Sequence, residues 1–272
     1  MKIYPYAIVT ILIAFASCKN DQSDCSPCKT EVAFPGKTGT DKVISVDGFQ
    51  LHYTQIGGEA VMEGDIIIDA DQLKEAKEKK FTGAAVLGRR WPKAIVYYKI
   101  NTDLPDSARV LNAIKHWEAN TKLRFIKANN ASINYIEFVS GGGCSSSVGM
   151  LTGKKQNINL ARGCSLGNVI HEIGHAIGLF HEISRADRDS TITIVWKNIK
   201  SGYENNFKTY LANGYQGFDD GPFDFNSRMM YDSRSFSSNG KPTITKRDGS
   251  DYAIGYDRLS KGDIKTVNKM YP

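Results

Sequence analysis

One run of residues restricts this chain more than any other: HEIGHAIGLFHEISRADRD, from His171 to Asp189. The chain has five histidines, and three of them fall in the first eleven positions of this run. On a helix, residues i and i+4 differ by only about 40° around the axis, so His171 and His175 point to one side and can share one ion. Glu172 lies about 60° round from His175, beside such an ion, where a group that takes a proton from water belongs. His181 is the difficulty, because on a continuous helix it would sit about 15 Å beyond His171 and on another face. Gly178 removes it: glycine enters the left-handed region without a Cβ penalty, ends the helix, and lets the chain turn His181 back as a third ligand. Three neutral imidazoles leave one coordination position open, which is the catalytic arrangement of zinc, and a purely structural zinc would have no use for Glu172.

The surrounding chain supplies a frame for this helix. With 272 residues, 41% hydrophobic and 24% charged, it can build a sizeable core. AIVYYKI, LRFIKA, INYIEFVS and QNINLA read as strands, GGGCSSSVGM carries a turn into an edge strand, and TITIVWKNI reads as extended. PDSARVLNAIKHWEAN reads as a helix with Val110, Leu111, Ile114 and Trp117 on one face and Asp106 and Ser107 as caps. LSKGDIKTVNKMY, with Ile264, Val267 and Met270 at three-residue spacing, reads as a closing helix. Between them lies a loop-rich stretch with turns at NGY, DDGPF, SNGKP and RDGS. The pattern is α+β.

The N-terminus reads as a targeting segment, residues 1–17. IVTILIAFA is too short for a comfortable membrane span, and it ends in FASC followed by polar residues. This resembles a bacterial lipoprotein signal with Cys18 as the lipidated residue, although Phe15 stands where Leu is usual. The chain is expected to be exported and to keep disulfides. Cys144 and Cys164 lie inside the body and form the natural pair; Cys25 and Cys28 make a CSPC in the leader. Residues 19–45 read as a flexible tether, and 46–83, with DIIID and the charged helical candidate DADQLKEAKEKK, look thin for an independent core. Residues 1–83 carry three more acidic than basic side chains and 84–272 nine more basic than acidic, so leader and body attract each other. No block of Lys and Arg and no nucleic-acid motif is present, which argues against nucleic-acid binding.

The run from His171 to Asp189 resembles the zinc signature of the metzincin peptidases, and specifically of the astacin family, in which the third histidine is followed by Glu (here Glu182) and an Arg-x-Asp-Arg-Asp run (Arg185 to Asp189). SRMMY, Ser227 to Tyr231, is similar to the family's Met-turn, with Met229 beneath the metal and Tyr231 as a switchable zinc ligand. Arg228 and Met230 replace the usual Val and His. FSSNGKPTI and LSKGDIKTVNKMY follow the family pattern; Cys144–Cys164 matches one of its two disulfides, and the other has no cysteines here. The likeness covers residues 84–272 and implies a zincin-like domain: a twisted mixed sheet, an active-site helix and an irregular lower subdomain.

The resemblance implies a monomeric zinc endopeptidase acting on proteins, with one catalytic Zn2+, Glu172 as proton carrier, Tyr231 as oxyanion donor, and substrate laid along residues 145–149. VMEGDI, Val61 to Ile66, resembles the family's pro-segment motif with Met62 in place of Phe, which makes Asp65 the residue blocking the zinc; Cys25 or Cys28 remain alternative ligands. Residues 18–83 are then tether and pro-segment. Activation would cut near Gly83–Ala85, and the new α-amino group would be buried against Glu182. The product stays on an outer membrane or cell surface, or is released with loss of the leader. The competing readings are a non-catalytic surface lipoprotein or adhesin on a peptidase fold, and another zinc hydrolase built on the same helix.

Overall fold

The structure, a computed structural model, describes residues 31–46, 49–77, 90–215, 217–254 and 257–272. The apolar N-terminal stretch, Cys18, Cys25, Cys28 and the segment Gly83–Ala85 lie outside the described residues. No helix among the described residues is long and apolar enough to cross a membrane.

The sheet of the body follows from four short runs rich in β-branched and aromatic residues. These are β5 (Ile95–Ile100), β6 (Arg124–Lys127), β7 (Tyr135–Ser140) and β9 (Lys155–Leu160). Alternation places Val96 and Tyr98 in the core and turns Tyr97 outward. β9, β7, β5 and β6 lie side by side and parallel, and β8 (Cys144–Ser146) runs antiparallel to β9. On this sheet pack α2 (Ala108–Asn120), α3 (Leu166–Ala176) and α4 (Lys261–Met270), joined by one apolar cluster that includes Trp91, Trp117, Phe138, Ile170, Ile173 and Val267. A second cluster, around Ile183, Ile192, Phe207, Met230, Tyr231 and Ile244, holds the loop-rich lower half. That half contains only one short described ladder, β10 (Ile192–Ile194) with β11 (Ile244–Lys246).

Several expectations change. Leu111 is exposed, because the buried stripe of α2 is Val110, Ala113, Ile114 and Trp117 and Leu111 sits about 100° round from Val110. Ser107 precedes α2 without a side-chain cap bond, and Asp106 takes a left-handed φ of 51°. TITIVWKNI is extended only through Ile194, then closes into a 3-10 turn at Trp196–Asn198.

The larger correction concerns the leader, which is folded well before residue 45. β1 (Thr40–Val46), β2 (Phe49–Ile56), β3 (Glu59–Met62) and β4 (Ile66–Ile68) form an antiparallel meander, followed by α1 (Ala70–Lys77). β4 pairs in parallel with β8 through Ile66 and Ser146, so the meander extends the body's sheet to nine strands. β8 is therefore interior here rather than an edge. The leader's core is thin only by itself. Leu51, Tyr53, Met62, Ile66 and Ile68 form one cluster with Val148, Tyr210 and Tyr215 of the body, and burial against the body supplies the apolar area that so short a segment cannot find alone.

Candidate active site

The active-site helix starts at a complete capping box. Ser165 Oγ accepts from the Asn168 N–H at 3.3 Å, and the Ser165 N–H donates to Asn168 Oδ1 at 2.7 Å. From Gly167 to Ala176 every residue of α3 is buried, as expected of a helix packed on all sides. Two indoles pin it: Trp117 Nε1 donates to Ile170 O at 3.1 Å and Trp91 Nε1 to Ala176 O at 2.8 Å. Gly174 lets Met229 come close, since a Cβ there would lie 2.6 Å from Met229 Sδ. The helix ends as its glycine demands. Gly178 has φ 110°, its N–H donates to His175 O at 2.8 Å, and the Leu179 N–H returns to Gly174 O at 2.9 Å.

That turn brings the three histidines together. Their ring centroids lie 4.6 to 5.0 Å apart, and Nε2 of His171 and His181 are separated by 3.1 Å. Each Nδ1 is occupied on the far side: His171 donates to Arg228 O at 2.8 Å, His175 to Leu179 O at 2.8 Å, and His181 to Glu63 Oε2 at 2.7 Å. These bonds fix the tautomers and leave all three Nε2 lone pairs facing inward. Asp65 faces them, with Oδ2 3.3 Å from Nε2 of both His171 and His181 and Oδ1 3.6 Å from Nε2 of His175. The ligand atoms of these four residues all lie within 4.8 Å of one another.

This donor set fits one zinc ion. Both Asp65 oxygens and His175 Nε2 are buried without a hydrogen-bond partner, and buried polar atoms are costly when unpaired. Converging lone pairs require a cation between them. The charge balance says the same. Burial holds the His175 imidazole down at about 4, in the neutral form that ligates. Burial also opposes charge on His181, yet without an ion the carboxylates of Asp65 and Glu63 lift it to about 10, so that a proton on its Nε2 stands where a metal ion would displace it. Burial works against the Asp65 carboxylate, and the facing imidazoles outweigh it and keep the group well below its usual range.

The neighbours are equally constrained. Glu172 is fully buried with neither oxygen hydrogen-bonded among the described residues; burial, then the Asp65 charge, push its carboxyl well up. Tyr231 packs its ring 4.6 Å from His181 and donates its hydroxyl to Glu63 O, and burial keeps that hydroxyl protonated. Glu182 accepts from the Asp224 N–H at 2.8 Å and lies 3.3 Å from Arg185, with burial pushing it up to about 7. It lines a cavity of about 370 Å³ with Arg90, Tyr210, Asp219 and Met270. Arg185 grips Asp187 through two bonds of 2.8 Å, and Arg188 Nη1 donates to Ile183 O at 2.8 Å, so the charged run after the third histidine ties the turn together. Cys144 and Cys164 are joined in a disulfide that ties the start of β8 to the residue before the Ser165 cap of α3.

Three participants carried no sequence signal. Arg228 O and Leu179 O are backbone acceptors, which no side-chain pattern reports. Glu63 occupies the unspecified position of the VMEGDI motif.

The comparisons agree with this geometry. The family profile described as Astacin, a peptidase family, matches residues 84–272. Blastula protease 10 of Paracentrotus lividus is 37% identical over 228 residues, covering 77% of this chain and 38% of its own length. Zinc metalloproteinase nas-4 of Caenorhabditis elegans is 33% identical over 216 residues, covering 77% of this chain and 68% of its own. The chain thus spans less than two fifths of some relatives, Protein SpAN of Strongylocentrotus purpuratus (37%) among them. High choriolytic enzyme 1, a hatching enzyme zinc-protease from Oryzias latipes, superimposes with a TM-score of 0.60 at 28% identity over 68% of this chain and 94% of that one. The chain belongs to the astacin family of zinc metallopeptidases.

Proposed function

We propose that the chain is an exported zinc endopeptidase made as a zymogen, with residues 1–17 a signal, 18–83 the tether and pro-segment, and 84–272 the peptidase domain. One observation carries the zymogen reading: the Asp65 carboxylate, wholly buried, sits against the Nε2 atoms of His171, His175 and His181 at 3.3 to 3.6 Å. A substrate carbonyl or a water has to occupy that place. Asp65 is favoured over Cys25 or Cys28 because it lies there; the cysteines fall outside the described residues.

His171, His175 and His181 would hold the metal, which would supply Lewis-acid polarisation of the scissile carbonyl and a more acidic attacking water. Glu172, desolvated beside the imidazoles, takes the water proton and passes it to the leaving amine. Tyr231, once Glu63 O is withdrawn, turns its hydroxyl to the developing oxyanion. Substrate then takes the place of β4 along residues 145–149, using the N–H and C=O groups of β8 that the leader occupies in the uncut chain. A cut near Gly83–Ala85 supplies an α-amino group for the cavity beside Glu182, where Asp219 adds a second carboxylate. The substrates are proteins, and the enzyme acts as a monomer. Lipidation at Cys18 would anchor the uncut form, and loss of the leader would release the peptidase. Every residue that catalysis requires is present, so nothing favours the adhesin reading.

The test is casein hydrolysis by purified residues 19–272 before and after limited trypsin, with N-terminal sequencing. Activity is expected only when the chain begins near Ala84 and falls by about 10²–10⁴-fold in Glu172→Gln. Full activity of the uncut chain would end the zymogen reading; zinc bound with no activity in either form would end the peptidase reading.

A further inference from the structure

Arg228 raises a question that the metal site does not answer. It stands in the turn from Ser227 to Tyr231, and it is only 7% exposed. A guanidinium in such a place has to be paired. Its Nε donates to Gly167 O at 2.8 Å, and its Nη2 meets Glu31 Oε1 at 2.5 Å. Asn168 Nδ2 donates to the same Glu31 oxygen at 2.7 Å, while its Oδ1 serves the helix cap. Two donors from different elements, the Met-turn and the first turn of α3, therefore converge on one carboxylate.

We propose that Arg228 and Asn168 form a carboxylate-binding site separate from the metal cluster, and that Glu31 is its ligand, so that the leader is latched at two points. This rests on the zymogen reading and extends it. The backbone next to Glu31 explains why the second point matters. The Cys144 N–H donates to Val32 O at 3.1 Å, and the Ala33 N–H donates to Gly64 O at 2.9 Å. Gly143 lets the segment lie flat, since a Cβ there would be 2.0 Å from Val32 O. Residues 31–33 thus run between the start of β8 and the Glu63–Asp65 loop, and they hold by its backbone the loop that carries Asp65. Glu31 fastens this strap to the body. The strap is also joined to the site from the other side, because Arg228 O is the acceptor that orients His171. The two latches differ in kind. Asp65 faces the imidazoles of the metal site, and Glu31 is held by side-chain donors outside it. Two linked attachments reinforce each other through effective concentration, so loss of either one loosens the whole leader.

The test uses the uncut, zinc-loaded chain and compares wild type, Glu31→Gln, Asp65→Asn and the pair Glu31→Gln with Arg228→Met. Hydrogen exchange is followed for residues 31–33 and 61–66, with casein hydrolysis of the uncut chain alongside. Glu31→Gln is expected to raise exchange in both segments and to raise the uncut chain's activity at least about tenfold; the double variant should lie no further from wild type than Glu31→Gln alone, since the partners act as a unit. Exchange and activity of Glu31→Gln equal to wild type would overturn the latch. If Asp65→Asn opens the uncut chain and Glu31→Gln does not, the latch alone fails. If the wild-type uncut chain is already fully active, the zymogen reading fails, and the latch's inhibitory role with it. Glu31 lies on the leader, so its variant stays informative even where Arg228→Met does not fold.

Discussion

The three histidines are held by two different parts of the molecule. His171 and His175 sit on α3 and hand their Nδ1 protons to backbone carbonyls of the catalytic body, Arg228 O and Leu179 O. His181 lies beyond Gly178 and hands its proton to Glu63, a leader side chain. The first pair is a rigid base, set in a capped and wholly buried helix. The third is oriented by a segment that precedes the family-matched residues 84–272. A carboxylate acceptor also makes an imidazole a stronger ligand than a carbonyl acceptor does. The loop Glu63–Asp65 thus both faces the imidazoles and orients the one most distant from the helix.

The largest effect should come from breaking the pair on the helix. His175→Ala should leave the protein without stoichiometric zinc by metal analysis and without measurable peptidase activity, whereas Glu172→Gln should keep one zinc and lose about 10²–10⁴-fold in kcat. Zinc retention in both would mean that the helix is not the base of the site. Glu63→Gln should weaken zinc binding by the uncut chain by about 10-fold or more and leave the activated enzyme's affinity unchanged. An equal loss in both forms would show that Glu63 acts on folding rather than on His181.

The rigidity of the helix can be tested by stability. Gly174→Ala presses on the buried Met229 and should cost about 1–3 kcal/mol in a urea titration at constant m. Gly142→Ala has open space around its Cβ and should stay within about 0.5 kcal/mol. The smallest effect concerns the leader's outer grip. Lys154 of the body pairs with Asp69 and Asp71, and its hydrogen bond, then its charge, hold Asp71 below the usual carboxylate value. A depressed carboxylate stabilises above its unfolded value near 3.8 and loses that contribution as pH falls through the lower folded value. Exchange in α1 should therefore be slower in wild type than in Lys154→Met at about pH 6, and the difference should vanish at about pH 2. A difference that persists in acid would assign it to packing of the lysine stem.

Legibility in the sequence followed the range of the interaction. The helix ligands, the turn at Gly178 and the strands of the body were readable because each depends on residues a few positions apart. Leu111 was misplaced because an apolar residue next to a helical stripe satisfies the count but not the angle. The leader was only partly legible: it is thin by itself, as read, but it is folded where a tether was expected, from β1 at Thr40–Val46 onward. Its short strands looked too poor in apolar area, and the missing area is supplied by Val148, Tyr210 and Tyr215. The edge reading of β8 suits the body alone, and β4 covers it.

By itself the sequence pointed to the metal-binding chemistry of this protein: helical period, Gly178 and three imidazoles require nothing beyond eleven consecutive residues. Resemblance, not spacing, nominated Asp65. Only the tertiary structure decided what faces and orients those imidazoles, because the contacts join distant parts of the chain, 57 residues apart for His171 with Arg228 and 118 for Glu63 with His181. Local periodicity carries no information over such separations; packing of the leader's strands onto the body's sheet sets them.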